Sequence, residues 1–124
     1  REVTPGSTTL TTSEPNVAFR LNGSAATYQR YHDLGVEAAS VTGGRLTIDF
    51  SRSTFSTELG VTSPSMGVQD VQASGTVSAS GVFQTATGNA RVLGGTSLDG
   101  REAAYLFEKS LNQGALRGIT MWGR

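Results

Sequence analysis

The chain has no cysteine, one histidine, three prolines and, counted along the sequence, a single lysine, Lys109. Without thiols there is neither a disulfide framework nor a thiolate metal site. Zinc takes three or four nitrogen- or sulfur-rich ligands, and one imidazole does not supply them, so no metal is expected. Charge of one sign is lacking too: ten basic residues balance ten acidic ones. That removes the basic footprint that nucleic acid or an anionic membrane surface requires. No apolar run approaches the roughly 20 residues of a membrane helix. There is no initiator methionine and no signal peptide, so Arg1 is expected to begin a processed or trimmed chain of a longer parent.

What is present in 124 residues is 16 Gly, 16 Thr and 14 Ser. This composition suits many short strands joined by tight turns. The length is that of one domain able to bury its own core. The clearest segment runs from Gly43 to Val61. Leu46, Ile48 and Phe50 alternate with Arg45, Thr47 and Asp49; Phe55, Thr57, Leu59 and Val61 alternate with Ser56, Glu58 and Gly60. Period-two alternation gives one dry and one wet face, so the segment is read as a β-hairpin.

Before it, residues 1–16 hold five Thr, two Ser and two Pro, and are expected to form a linker or loosely attached arm. Residues 17–124 are expected to form the folded domain. Val17, Phe19 and Leu21 mark a first strand that ends at an Asn22-Gly23-Ser24 turn, and Ala25–Thr42 reads as a long connection. After the hairpin, strands are expected over 68–76, 82–87, 90–94, 102–108 and 116–122. Val68, Val71 and Ala73 differ in parity, which a bulge would reconcile. Eight strands with short turns predict an all-β fold, an eight-stranded antiparallel up-and-down β-barrel that is soluble and has a flexible N-terminal arm. Closure leaves no exposed edge. Such an interior holds side chains alone or one small ligand. Arg45, Asp49 and Glu58 would face lipid in a membrane barrel, so the barrel is not expected to be membrane-embedded.

Several motifs resemble the C-terminal barrel of transferrin-binding-protein-like bacterial surface lipoproteins, and more closely the related barrels that follow FecR-type domains. They are Gly44-Arg45-Leu46-Thr47-Ile48-Asp49-Phe50, Ala73-Ser74-Gly75-Thr76-Val77 with Gly81-Val82-Phe83, and Gly94-Gly95 before Gly100-Arg101-Glu102-Ala103-Ala104-Tyr105-Leu106-Phe107. The closing Leu116-Arg117-Gly118-Ile119-Thr120-Met121-Trp122 and the Asp33-Leu34-Gly35 loop are similar as well. The resemblance spans about Val17 to Trp122. It departs from the larger lipoproteins at Ala104 and Tyr105, where they often place a glycine, and in having no lipobox cysteine. It implies an exported protein, periplasmic or at the cell surface, that binds a protein partner through its loops.

Chemistry has little foothold in the residues. His32 beside Asp33 is read as a surface histidine, the serines have no nucleophile elbow, and the glycine pairs do not precede helices. No enzyme and no cofactor are expected. Tyr28, Arg30, Tyr31 and His32 are the candidate partner-binding residues, on an exposed loop, because Tyr and Arg are enriched at interface hot spots. The remaining aromatics, Phe83, Tyr105, Phe107 and Trp122, are read as core, and glycines 75, 81, 94, 95 and 118 as bends or close backbone contacts. Two other functions remain open: a small-ligand carrier with a lipocalin-like pocket in the barrel, and a periplasmic signalling module. A lumen closed by Phe50, Phe55, Phe83, Phe107 and Trp122 would favour loop binding; an open apolar pocket would favour the carrier.

Overall fold

A computed structural model describes residues 9–32 and 35–124. Eight strands follow in order: β1 (Val17–Arg30), β2 (Val36–Asp49), β3 (Thr54–Ser63), β4 (Gly67–Val77), β5 (Val82–Gly88), β6 (Arg91–Thr96), β7 (Glu102–Leu111) and β8 (Gly114–Gly123). Each pairs antiparallel with the next, and β8 returns to β1 to close the barrel. The expected fold class and strand number are therefore those observed.

The central hairpin is the β2–β3 pair, with Asp49 opposite Thr54, Ile48 opposite Phe55 and Leu46 opposite Thr57. Its turn is organised by Asp49, whose Oδ1 accepts bonds from the Ser51 amide (3.0 Å), the Ser51 hydroxyl (2.6 Å) and the Arg52 amide (3.0 Å). The Ser51 hydroxyl is the main reason its carboxyl titrates below the usual range.

The expected connection over Ala25–Thr42 is mostly strand. β1 does not stop at Asn22-Gly23-Ser24 but continues through a bulge between Leu21 and Gly23. A second bulge lies between Val41 and Gly43 of β2. The two lie opposite each other, so the β1–β2 offset is the same on both sides of them, at Phe19↔Leu46 and at Ala26↔Ala39. Each extra residue inverts which parity faces inward. In β4 no bulge reconciles Val68 with Val71; β3 and β4 pair without a break, and Val68 simply points outward.

The inward side chains form one apolar cluster that includes Phe19, Leu46, Ile48, Phe55, Phe83, Tyr105, Phe107 and Trp122. Five inward glycines make room for large neighbours. A Cβ on Gly118 would stand 2.5 Å from the ring of Phe107, its cross-strand partner. A Cβ on Gly94 would meet Tyr105 at 2.5 Å and the Phe83 ring at 2.7 Å, again its partners on either side. Gly75 lies under Phe55, Gly114 under Tyr28 and Gly44 under Leu59. Large side chains thus lie across neighbouring strands at glycine positions, which lets so few aromatics fill the interior. Of the glycines expected at close approaches, Gly95 is the exception, with its nearest atom at 3.8 Å.

The outside is polar over β2–β4, where Arg45, Glu58 and Gln72 form one cross-strand row. Over these three strands, apolar inside and charged outside is the reverse of a lipid-facing wall. No helix among the described residues is long and apolar enough to cross a membrane.

Candidate functional site

Three places could bind something: the lumen, the end bearing the β2–β3, β4–β5 and β6–β7 turns, and the opposite end bearing the β1–β2, β3–β4, β5–β6 and β7–β8 turns. The last is called the loop end below.

The lumen is crossed at mid-height by a chain of hydrogen bonds. Trp122 Nε1–H donates to Thr120 Oγ1 (2.7 Å), and Thr57 Oγ1–H donates to the Arg45 carbonyl (2.9 Å). The Tyr105 hydroxyl lies 2.7 Å from Thr57 Oγ1, and the Thr120 side chain neighbours it. Each hydroxyl carries one hydrogen, so the directions are fixed. Thr57 gives its hydrogen to the Arg45 carbonyl, so Tyr105 donates to Thr57. Every member of the chain is satisfied, as burial demands. Burial pushes the Tyr105 phenol up to about 12, with the neighbouring Thr57 and Thr120 hydroxyls opposing the shift. Trp122 stacks on the Tyr105 ring at 5.8 Å, while Phe83 and Phe107 meet it edge-on at 6.2 and 6.4 Å. This is the geometry aromatic quadrupoles prefer, and it leaves the middle of the barrel solid.

The first end is covered by residues 9–16. Leu10 packs against the core, and its amide donates to the Ala79 carbonyl (2.7 Å). The Thr11 amide donates to Leu98 (2.8 Å), and the Glu14 carbonyl accepts from Phe50 (2.9 Å). The Glu14 carboxylate takes both arms of the Arg124 guanidinium, at 2.7 and 3.1 Å, so the described start of the chain is clamped to its last residue. Residues 1–8 of the expected arm lie outside the described residues.

At the loop end two polar crossings span the mouth. Arg30 Nη1 donates to Glu37 Oε1 (2.9 Å) and Ser65 Oγ (3.1 Å). Glu37 in turn accepts the Ser65 hydroxyl (2.6 Å) and amide (2.8 Å), binding the β3–β4 turn to β2. These serine bonds, ahead of Arg30, hold the Glu37 carboxyl below its ordinary range. Lys109, with 12% of its side chain exposed, reaches from β7 to β4 and donates to the Asp70 carbonyl (2.7 Å) and Gln69 Oε1 (3.2 Å).

The four predicted binding residues separate across this end. Tyr28 is not on a loop: it belongs to β1, is 4% exposed and lies over Gly114 inside the barrel. The bulge at Asn22 turned it inward. Arg30 ends β1 and is engaged with Glu37 and Ser65. Tyr31 is 51% exposed at the rim, its amide donating to the Gln113 carbonyl (2.9 Å). His32 is exposed beside it, whereas Asp33 and Leu34 lie outside the described residues. Sequence reasoning missed Glu37, Ser65 and Lys109 here, and Thr57, Thr120 and Tyr105 as a polar unit within. Thr57 could have been found: it is a hydroxyl on the dry parity between Phe55 and Leu59.

Fold and interior together define a closed, eight-stranded up-and-down barrel with a packed core. No protein-family model matches the chain, and no curated protein matches it. Among solved structures it is similar to a mutant of the vaccine antigen transferrin-binding protein B from Haemophilus parasuis, at TM-score 0.50 and 15% identity. That match covers 91% of this chain and 27% of the larger protein, and at this identity it establishes a shared fold alone. A lipocalin activated by myc transformation matches with TM-score 0.47 and 9% identity, over 88% of this chain and 69% of its own. The siderocalin Ex-FABP matches with TM-score 0.36 and 11% identity, over 86% and 71%.

Proposed function

We propose that this is a non-enzymatic binding barrel of an exported, periplasmic or cell-surface protein, and that it engages a protein partner at its loop end. The observation that carries the reading is the Tyr105 crossbar with its flanking rings, which occupies the volume where a carrier would seat its ligand. Recognition then falls to the surface. At the loop end, Tyr31 offers an exposed aromatic beside His32, on a rim held by the Arg30–Glu37–Ser65 network. A rigid base under an exposed aromatic is the arrangement of an interface anchor. The polar outer rows over β2–β4 support a barrel that works in water. The likeness to the transferrin-binding protein B fold is in keeping with surface recognition.

Trp122 is the one tryptophan and lies in the lumen, so it reports on anything that enters. Titration with the apolar probe N-phenyl-1-naphthylamine should leave Trp122 emission without a saturable change. Saturable one-to-one quenching with energy transfer to the probe would instead make the barrel a carrier.

A further inference from the structure

The end opposite the loop end is closed by a stretch of chain that belongs to none of the eight strands. Residues 10–14 reach all three turns there by backbone bonds. The Leu10 amide donates to Ala79 on the β4–β5 turn (2.7 Å) and the Thr11 amide to Leu98 on the β6–β7 turn (2.8 Å). The Glu14 carbonyl accepts from Phe50 at the β2–β3 turn (2.9 Å). Side chains add selectivity. Leu10 packs against the core beside Gly81, where a Cβ would stand 3.2 Å from it. Thr12 lies against Gly100, where a Cβ would stand 2.7 Å from its methyl. Glu14 is gripped by both arms of Arg124, and Arg101 lines the same surface groove. Backbone bonds joined to side-chain pockets are the means by which extended peptides are recognised.

Two features show that this cover fits imperfectly. The Thr96 hydroxyl crowds the same space beside Gly81 as Leu10 does, 2.7 Å from that Cβ position. It is buried and has no hydrogen-bond partner among the described residues. A buried hydroxyl left unpaired costs free energy, whatever apolar group lies beside it. The stretch also joins β1 through Asn16, which holds a left-handed φ of 51°, a sparsely populated conformation for a hinge.

We propose that this end is a binding site for an extended peptide, occupied in cis by residues 10–14. In trans it accepts a segment with an aliphatic residue and, four places on, a carboxylate. The cis segment holds the site by proximity, equivalent to a local concentration in about the millimolar range. Its release leaves the Ala79 and Leu98 carbonyls, the Phe50 amide and the Arg124 guanidinium for a replacement. This site lies at the far end from Tyr31, so the inference stands apart from the function proposed above.

Fluorescence anisotropy of a labelled synthetic peptide, Thr9–Asn16 of this sequence, tests it on the full chain. Leu10→Ser with Glu14→Gln weakens the cis occupant. That double variant should bind the peptide saturably, one to one, and roughly tenfold or more tighter than the wild type does. Arg124→Glu should invert the preference, so that a peptide carrying Glu14→Lys binds roughly tenfold better than the parent peptide. No saturable binding to the double variant up to about 1 mM would overturn the inference. So would binding that is indifferent to charge at both positions. Amide exchange in the wild type gives a test that needs no variant. The Leu10, Thr11 and Phe50 amides should exchange roughly a hundredfold faster than those of the β7–β8 ladder. Equal rates would mean that the cover opens only when the barrel unfolds, and would overturn it too.

Discussion

Tyr105 on β7 and Thr57 on β3 stand on opposite walls of the barrel, and their hydroxyl oxygens are 2.7 Å apart. The bond ties together strands four places apart around the wall, so it constrains the cross-section as no ladder bond can. It also divides the lumen. The Tyr105→Phe variant keeps the ring but leaves the buried Thr57 oxygen without its donor. Removing one partner of a buried pair costs about 1–3 kcal/mol, to be read as a lower urea midpoint with unchanged slope. In a cycle with Thr57→Val, the two substitutions should be strongly non-additive. Additive losses would mean that the hydroxyls act separately.

The same phenol predicts an alkaline limit. Its ionisation in the folded chain is pushed up to about 12, above the ordinary tyrosine value near 10. The unfolded chain therefore loses the proton first. Stability from the neutral, buried phenol is complete below about pH 10 and fades on the way to 12, by on the order of 2–3 kcal/mol. Chemical unfolding between pH 9 and 12 should show this decline in the wild type and much less of it in Tyr105→Phe.

On the acid side the sign is reversed. Glu14, through its bonds to Arg124, and Glu37, Asp49 and Asp99, through neighbouring serine hydroxyls, all titrate below the usual carboxylate range. Their contribution is present near neutrality and is lost as pH falls through about 4 and below, where the unfolded chain takes up protons first. Melting temperature should fall in that window. Glu14→Gln should flatten part of the fall by freeing the residues over the covered end. A melting temperature that rises on acidification would contradict the assignment.

Adjacent glycines give a sharp contrast. Gly94→Ala drives a Cβ into Tyr105 and Phe83, whereas Gly95→Ala meets nothing closer than 3.8 Å. Overpacking costs about 1–3 kcal/mol, occasionally more, so Gly94→Ala should lower the melting temperature well beyond Gly95→Ala. Equal effects would show that the rings do not rest on the glycine row.

These contrasts bear on what the sequence disclosed. Where large apolar residues alternate without interruption, as from Leu46 to Val61, strand, face and register were all legible. The first half of β2 was not, because Val36–Arg45 is mostly small or polar and neither face is dry; pairing with β1 and β3 makes it a strand. Bulges hid more. Counted from Val17, Phe19 and Leu21, Tyr28 falls on the wet parity, and the extra residue at Asn22 moves it to the dry one. The loop-end network was illegible for another reason: Arg30, Glu37 and Ser65 meet through three separate strand ends, a closeness that no local spacing encodes.

The two tyrosines three residues apart should thus behave oppositely. Tyr28→Ala empties a space under the loop end and should cost about 3–5 kcal/mol, as other buried aromatic truncations do. Tyr31→Ala should change stability by no more than about 0.5 kcal/mol. Denaturant unfolding of both variants measures the difference.

The claim on which the account rests is that the barrel's interior is dry and bridged by side chains. Proton NMR of the Tyr105 hydroxyl tests it most directly. We predict a slowly exchanging hydroxyl resonance with cross-relaxation to Thr57 and Thr120. A hydroxyl that exchanges freely with water and shows neither neighbour would mean an open, solvated lumen, and would contradict the account.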